Sequence, residues 1–226
     1  YFLACLEGEG RVLVDGRWQK CAAGMAVALP PFMVNAFKAV PGKKWRCCWV
    51  RYEQQPVDQR LLSSSSPVMA AFDGSALWHA IEGLIEEAAG VALPAAMFHW
   101  VELIQSYVAR FSQPWQMDDR LARLWERVSA DVGRDWTLDE LAHQAHVSAE
   151  HLRRLCRRAL GRTPMHHVTW LRMRKAAELL STTSLKVETV AHTVGYQNAF
   201  VFSNTFKKWI GWRPSEHRSR MTSGAV

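Results

Sequence analysis

Histidine is absent before His79, and the five cysteines include no CxxC pair. Zinc and iron sites need closely spaced histidine or cysteine ligands, so we predict no metal site and no metal cofactor. The odd number of cysteines, spread along the chain, argues against a disulfide framework and favours a reducing cytoplasm. We also find no set of residues arranged for catalysis.

Long apolar runs are missing as well. No segment reaches the roughly 20 apolar residues of a membrane-spanning helix, and no charged-then-apolar signal opens the chain. We therefore predict no membrane partner. The chain begins at Tyr1, without methionine, in a run that is already typical of a strand, so we expect that some N-terminal sequence precedes it.

Positive charge is concentrated in the C-terminal part. Residues 1–130 hold 13 Lys and Arg against 13 Asp and Glu, whereas residues 131–226 hold 15 against 8. The whole net charge of +7 therefore lies after residue 130. A basic region that follows a neutral one predicts a polyanionic partner, such as DNA, for the basic region only.

A repeated pattern occupies residues 136–218. Each copy starts with a short apolar stripe at helical spacing, offset by 49 positions: Leu138, Leu141, Ala142 and Ala145, then Val187, Val190, Ala191 and Val194. A turn, a capping residue and a second stripe follow at an offset of 50: Ser148, Leu152 and Cys156, then Asn198, Phe202 and Phe206. The extra residue falls in the turn that carries Gly195. Two short helices joined by a turn predict a helix-turn-helix, whose second helix enters a DNA major groove.

The second helix of each copy has an outer face suited to DNA. In the first copy, predicted over 149–160, this face is charged and rich in arginine: Glu150, Arg153, Arg154, Arg157 and Arg158. Such a face can simply be solvated, but the arginine fork matches guanine O6 and N7 as well as phosphate, which favours DNA contact. The second copy, predicted over 198–210, leaves Phe200, Asn204, Lys207 and Lys208 outward. A long helix, 165–181, joins the two copies.

The N-terminal part is typical of short strands. Apolar runs separated by Gly, Pro and charged residues cover 1–6, 10–14, 18–21, 25–29, 34–40 and 45–53, and Asp15-Gly16 is a hairpin signal. This spacing predicts an all-β barrel or jelly roll of the cupin type over about residues 1–58. Such a barrel commonly holds a small ligand in its mouth.

Aromatic and cationic side chains are dense on the last predicted strands. Rings stack on the apolar faces of sugars and aromatic acids, and a guanidinium pairs with carboxylate. We therefore predict an effector site formed by Phe37, Trp45, Arg46, Trp49 and Arg51. Alternatively, the tryptophans are barrel core and the arginines are solvated. Strand alternation places Arg46 on the face opposite Trp45, Trp49 and Arg51.

Two helices follow the strands, over about 73–89 and 94–112. The second carries apolar side chains at alternating spacings of three and four, a heptad pattern that predicts a dimer contact: Met97, Trp100, Ile104, Tyr107, Val108 and Phe111. The same stripe would also suit a helix packed onto its own barrel. Residues 113–118 are predicted to be a linker.

Residues 119–218 resemble the DNA-binding domain of the AraC/XylS family of bacterial transcription regulators. The most specific part is Gly195-Tyr196-Gln197-Asn198, followed by Phe202, Phe206-Lys207-Lys208, Gly211 and Arg213-Pro214. The N-terminal part is similar to the family's cupin-like effector domain with its dimerisation helices. The resemblance implies a multidomain protein: residues 1–112 for effector binding and dimerisation, and residues 119–226 as an all-α domain of about seven helices with two helix-turn-helix motifs.

The resemblance also implies which residues contact DNA. By position, the base contacts fall on Glu150, Arg153, Arg154, Phe200 and Asn204. We assign phosphate contacts to Ser148, Arg157, Arg158, Asn198, Lys207 and Lys208. Because Phe200 and Asn204 make weaker base contacts than arginine, we expect the second helix to act mainly through phosphate contacts and DNA shape. His146 occupies the place where the first turn usually has glycine, which is tolerable because His visits positive φ more than most residues.

The leading hypothesis is a sequence-specific transcription regulator in the cytoplasm that binds double-stranded DNA as a homodimer. We expect an activator, with RNA polymerase as a further partner, controlled by a sugar or an aromatic or organic acid. In an alternative, the N-terminal domain serves only dimerisation or partner contact, without an effector. A non-specific architectural DNA binder is a further hypothesis, but in such a protein the predicted barrel would have no function. An enzyme of the cupin or zinc-thiolate type would need barrel histidines or clustered cysteines, which the sequence lacks.

Overall fold

Strands lead and helices follow along the chain in the computed structural model, which describes residues 1–53, 63–112 and 119–222. Two compact units result. Among the described residues, unit 1 comprises 1–11, 20–28, 37–53 and 63–112, and unit 2 comprises 12–19, 29–36 and 119–222. The predicted linker, 113–118, lies outside the described residues, so the domain division proposed there stays a prediction.

The described strands form one sheet. They are β1 (Phe2–Val14), β2 (Arg17–Ala22), β3 (Met25–Ala28), β4 (Phe37–Ala39), β5 (Trp45–Val50) and β6 (Met69–Ala71). The order is β2-β1-β3-β6, and β4 and β5 also pair with β1. This confirms the strand-rich N-terminal region, with two differences. The first two predicted strands are one, because β1 continues through a register shift between Cys5 and Glu7, and β6 lies beyond the predicted strands.

Two helices cover one face of this sheet. They are α1 (Ser75–Ala89) and α2 (Pro94–Ser112), close to the predicted ranges. Phe2 and Cys48 from the sheet, Leu77 from α1, and Val108 and Phe111 from α2 belong to one buried apolar cluster. Burying this apolar surface is what holds α1 and α2 on the sheet, since burial contributes roughly 25 cal/mol per Å².

The apolar stripe of α2 packs against its own sheet and α1. Ile104, Val108 and Phe111 are buried in unit 1, and Trp100 and Tyr107 pack against the same cluster, while Met97 is half-buried. Glycine at position 83 of α1 accommodates the indole of Trp100, because a Cβ atom there would lie 2.6 Å from the ring. The side chains of Ile104, Val108 and Phe111 are thus covered within unit 1, and the predicted dimer contact stays a prediction.

Unit 2 contains the remaining helices. They are α3 (Asp119–Ala130), α4 (Leu138–Gln144), α5 (Ala149–Leu160), α6 (Pro164–Thr182), α7 (Val187–Thr193), α8 (Ala199–Ile210) and α9 (Pro214–Thr222). These seven confirm the predicted all-α domain. The long α6 packs against α4, α5, α7, α8 and α9, and buried residues occur along it from Pro164 to Leu180. Among the residues that the structure covers, no helix is long and apolar enough to cross a membrane.

Unit 2 also includes the turn between β1 and β2. Asp15 and Gly16 both have positive φ, 53° and 70°, as the predicted hairpin requires. The Asp15 carboxylate lies 3.1 Å from the Arg162 guanidinium, and both side chains are almost completely buried. Burial raises the pKa of Asp15, an effect that the charge of Arg162 opposes. No sequence pattern indicated this ion pair, because its members are 147 positions apart.

Candidate nucleic-acid interface

The two copies of the repeat fold into two helix pairs, α4–α5 and α7–α8. Corresponding positions of the first stripe have the same burial in both pairs. Leu138 and Val187 are half-buried, and the later positions are all buried: Leu141, Ala142 and Ala145, then Val190, Ala191 and Val194. The structure thus confirms two helix-turn-helix motifs, whose common burial explains why the apolar pattern repeats.

A left-handed residue starts each turn. His146 has φ 55° and Gly195 has φ 82°, and the two occupy equivalent places, 49 positions apart. Histidine therefore does take the conformation that glycine takes in the second copy. The cap Ser148 follows His146 by two positions, whereas the cap Asn198 follows Gly195 by three. The extra residue of the second copy consequently lies after the left-handed position.

Both caps use their oxygen atoms to start the recognition helices. The Ser148 hydroxyl accepts a hydrogen bond from the His151 amide at 3.2 Å. The Asn198 side-chain oxygen accepts from the amides of Phe200 and Val201 at 2.8 and 3.2 Å. Their donor groups, a hydroxyl hydrogen and an amide NH₂, have chemistry suited to phosphate oxygens. The phosphate contacts assigned to Ser148 and Asn198 stay predictions.

The outer face of α5 is cationic, as predicted. Leu152 and Cys156 are fully buried, and every side chain assigned to DNA on this helix is exposed: Glu150, Arg153, Arg154, Arg157 and Arg158. Arg153 Nη1 lies 3.3 Å from Glu150 Oε2, and Arg154 Nη2 lies 2.9 Å from His151 Nδ1. Exposed pairs of this kind contribute about 0–1 kcal/mol, so DNA can displace them at little cost.

The outer face of α8 is chemically different. Phe202 and Phe206 are buried, whereas the predicted contacts Phe200, Asn204, Lys207 and Lys208 are exposed. Phe200 is 71% exposed, and its neighbour Val201, which was not among the predicted contacts, is 52% exposed. Val201 lies three positions before Asn204, a spacing that places both on one side of a helix and could have identified it.

Arg172 of α6 ties the two copies together. Its guanidinium donates to the backbone oxygens of Val132 and Arg134 at 3.1 and 2.8 Å, and lies over the Tyr196 ring at 5.7 Å. Gly195 approaches the same loop so closely that a Cβ atom on it would lie 2.5 Å from the Gly133 oxygen. The second turn is thus fixed against the loop between α3 and α4. The sequence indicated only that Arg172 lies on the long helix that joins the two copies.

The structure separates the residues predicted to bind an effector. Trp45 makes an edge-to-face contact with Phe37, with 6.3 Å between ring centres, and donates from its indole nitrogen to the Cys5 sulfur at 3.1 Å. Trp49 is exposed, and Arg51 lies over the Tyr1 ring at 5.8 Å. Arg46 instead lies on the other face, over the Trp78 ring of α1 at 5.8 Å and 3.7 Å from the Glu7 carboxylate. Arg46 therefore lies apart from the other four, and the effector site stays a prediction.

The cysteines of unit 1 are closer together than their spacing suggested. Cys5 lies directly opposite Cys47 across the β1–β5 pair. Burial raises the pKa of Cys21 to about 12 and that of Cys48 to about 11, so these thiols stay protonated and unreactive near neutral pH. Within the ranges that the structure covers, no three His, Cys, Asp or Glu side chains are grouped as metal ligands.

Comparisons with known proteins agree with this architecture. A family model described as an AraC-like ligand binding domain matches residues 2–163, and one described as a helix-turn-helix domain matches residues 141–220. The MmsAB operon regulatory protein of Pseudomonas aeruginosa is 25% identical over 235 residues, which cover 97% of this chain and 75% of that protein. The RCS-specific transcriptional activator RclR of Escherichia coli is 33% identical over 102 residues, 45% of this chain.

Several relatives are matched over part of their length only. The matched part of the chain spans 36% of RclR and between 30% and 41% of several others. Among solved structures, the C-terminal domain of the response regulator AraT from Geobacillus stearothermophilus is 33% identical, with a TM-score of 0.44 over 46% of this chain and 87% of that one. Since the two family models together run from residue 2 to residue 220, the chain belongs to the AraC/XylS family of transcriptional regulators, which are not enzymes.

Proposed function

We propose that this regulator recognises a specific DNA sequence through α5 and α8, and that a small molecule bound in unit 1 controls the outcome. The observation that carries the first part is the exposed arginine face of α5. Arg153, Arg154, Arg157 and Arg158 are all exposed on a helix whose opposite side is buried. Arginine forks match guanine edges bidentately, which gives sequence discrimination that a merely cationic surface lacks.

The placement of the two helix pairs supports a single extended site. Because Arg172 and the Gly133–Gly195 contact hold the second turn against the loop before α4, the two recognition helices keep a fixed mutual arrangement. A fixed arrangement predicts two short base sequences at a constant separation, near one DNA turn of roughly 34 Å. An architectural binder would show no such constant separation.

The test is to select bound sequences from a random duplex pool with the full chain, at stated salt. We expect a bipartite motif with a constant gap. The double variant Arg153→Ala with Arg154→Ala is expected to lose one half of the motif while keeping the other. If wild-type protein enriches no motif, the proposal of a sequence-specific regulator fails.

Effector control is the second part of the proposal. Phe37, Trp45 and Trp49 offer rings, and Arg51 offers a cation, which suits a sugar or an aromatic or organic acid. By linkage, a ligand that alters DNA affinity must have its own affinity altered equally by DNA. Repeating the selection and a thermal-shift assay with a panel of such compounds tests this. If no compound of the panel changes the selected DNA sequences or the melting temperature, the alternative is favoured, in which unit 1 serves only dimerisation or partner contact.

The remaining parts are a homodimer and an activator role in the cytoplasm, with RNA polymerase as partner. To the predicted dimer contact, in which Met97, Trp100 and Tyr107 are only half-buried, we add exposed apolar residues of the same two helices: Phe98 and Val101 of α2, and Ile85 of α1. Exposed apolar side chains at helical spacing suit a second copy of the same helices. Sedimentation of the double variant Phe98→Asp with Val101→Asp should show monomers, which tests the homodimer. Expression of a reporter gene placed behind the selected DNA site tests the activator role.

A further inference from the structure

We propose that Phe200 and Val201 read the 5-methyl groups of thymines in the half-site that α8 contacts. This proposal rests on the function proposed above and names the base that this helix selects. It differs from the expectation that α8 acts mainly through phosphate contacts and DNA shape. The methyl group of thymine is the apolar feature that a base pair presents in the major groove, so apolar side chains can recognise it.

Exposure of these two side chains is the first observation. Phe200 and Val201 are 71% and 52% exposed, on a helix whose other phenylalanine side chains, Phe202 and Phe206, are fully buried. The apolar core of unit 2 is thus complete without them. Adjacent apolar side chains left in solvent suit a surface that becomes covered when the protein binds its partner.

Their position on the helix is the second observation. Asn198 accepts hydrogen bonds from both of their amides, which fixes them in the first turn of α8. Residues at the N-terminal end of a recognition helix are those that reach base edges. Asn204, one turn later, is exposed as well, so the apolar pair continues into a polar group that can bond to a neighbouring base.

Charge on the same helix identifies DNA as what covers the pair. Lys207 and Lys208 are exposed in the last turn, where they suit phosphate oxygens. A second protein copy would suit the apolar pair equally, but not the neighbouring lysines. The pair is also continuous with the helix-turn-helix surface, which the family model covers from residue 141 to residue 220.

The experiment replaces single thymines by deoxyuridine in the selected duplex. This change removes one methyl group and leaves base pairing intact. We expect one or two positions at which the affinity of the full chain falls about fourfold, the effect of one buried methyl group. Phe200→Ala with Val201→Ala should bind thymine and deoxyuridine duplexes equally, whereas Phe200→Leu should keep the difference.

Arg153→Ala is the matched control, because it weakens the other recognition helix and should leave the thymine-to-deoxyuridine ratio unchanged. The proposal is overturned if no thymine position responds in wild-type protein, or if the response persists in the double alanine variant. If the double alanine variant changes its oligomeric state but keeps the thymine-to-deoxyuridine affinity ratio of wild type, the apolar pair contacts protein and the proposal is overturned. Failure of the initial selection would instead refute sequence-specific binding itself, so the two failures are distinguishable.

Discussion

The two helix-turn-helix copies are alike inside and different outside. Their first stripes have the same burial at each position, and both turns begin with a left-handed residue. Both outer faces carry two basic residues in the last turn, but they differ nearer the start of the helix, since α5 presents Arg153 and Arg154, whereas α8 presents Phe200 and Val201 near Asn204. Packing requirements therefore keep the copies similar, while the solvent face of each helix is free to specialise for a different half-site.

The difference assigns the copies unequal roles in binding. An arginine fork on guanine discriminates bases by about 1–3 kcal/mol, whereas one methyl contact is worth about 0.8 kcal/mol. We therefore expect α5 to supply most of the sequence preference. We expect α8 to add a smaller preference, together with phosphate contacts from Lys207 and Lys208.

The largest expected effect is a difference in the free energy of unfolding between substitutions in the two turns. Gly195→Ala should lower the free energy of unfolding by at least about 2 kcal/mol, because alanine at positive φ is strained. Its Cβ atom would also lie 2.5 Å from the Gly133 oxygen. His146→Gly, at the equivalent place in the first copy, should stay within about 1 kcal/mol of wild type, since relief of strain offsets the greater entropy of the unfolded chain.

Urea unfolding followed by circular dichroism measures both changes. Gly24→Ala is a useful control, because this glycine also has positive φ but a Cβ atom there would meet nothing within 4 Å. If Gly195→Ala costs no more than Gly24→Ala, the close approach to Gly133 contributes nothing, and the inferred tie between the two copies is wrong.

The second effect concerns the outer faces. Arg153→Ala should weaken binding to the selected duplex by about 1–3 kcal/mol and relax selectivity at one or two base pairs. Phe200→Ala should weaken it by less, because it removes an apolar contact and no charged hydrogen bond. Fluorescence anisotropy on the selected and scrambled duplexes at one salt concentration compares the two variants. Equal reductions in affinity for both duplexes would place Arg153 on phosphate and contradict its assignment to a base.

The helices were the part of the fold that the sequence predicted best. Caps and stops such as Ser148 and Gly161 mark the ends of α5, and the structure has it over the predicted residues. These signals are local, since a cap bonds to an amide two or three residues away. The merged strand β1 was missed for the opposite reason, because Gly8 looked like a turn but takes its positive φ within a continuing strand.

Long-range contacts set the limit for the functional residues. Helical spacing alone identified the outward residues of α5, because one buried stripe determines the opposite face. It could not tell whether the stripe of α2 faces its own sheet or a second copy, since both environments are apolar. Only the contact between Phe111 and Phe2 of β1, 5.1 Å between ring centres, shows that the stripe packs on its own sheet. The roles of Arg172 and of the Asp15–Arg162 pair likewise depend on partners far away in sequence.

A third prediction compares the phosphate-binding residues of the two copies. We compare two double variants, Arg157→Ala with Arg158→Ala and Lys207→Ala with Lys208→Ala. In each, the plot of log affinity against log salt should become less steep, by about 0.9 for every phosphate that the variant no longer neutralises. Each double variant should bind both duplexes more weakly, and its affinity for the selected and the scrambled duplex should fall by the same factor. Glu150→Gln removes an anion from α5 and serves as a control that should not reduce the slope. A slope unchanged in either double variant would show that its two residues do not bind phosphate.

The smallest expected effect is on the pH dependence of stability, because α8 packs against a buried histidine. Phe206 of α8 contacts the buried imidazole of His217 at 5.4 Å between ring centres, and Ser181 Oγ lies 3.1 Å from His217 Nε2. At the equivalent position of α5, burial raises the pKa of Cys156 to about 12, so this thiol does not titrate near neutral pH. Burial lowers the pKa of His217 below its ordinary value of 6.5.

The sign of the pH effect follows from that lowered pKa. Below pH 6.5 the unfolded chain takes up a proton at His217 that the folded chain refuses, so stability is lost as the pH falls towards the folded pKa. One such proton changes the free energy of unfolding by at most about 1.4 kcal/mol per pH unit. Urea unfolding between pH 7.5 and 5.5 should therefore show a smaller loss of stability in His217→Gln than in wild type, and His143→Gln, at an exposed side chain of α4, serves as the control. An equal loss in His217→Gln would mean that protons bound elsewhere destabilise unit 2, and that its second copy is no more sensitive to pH than its first.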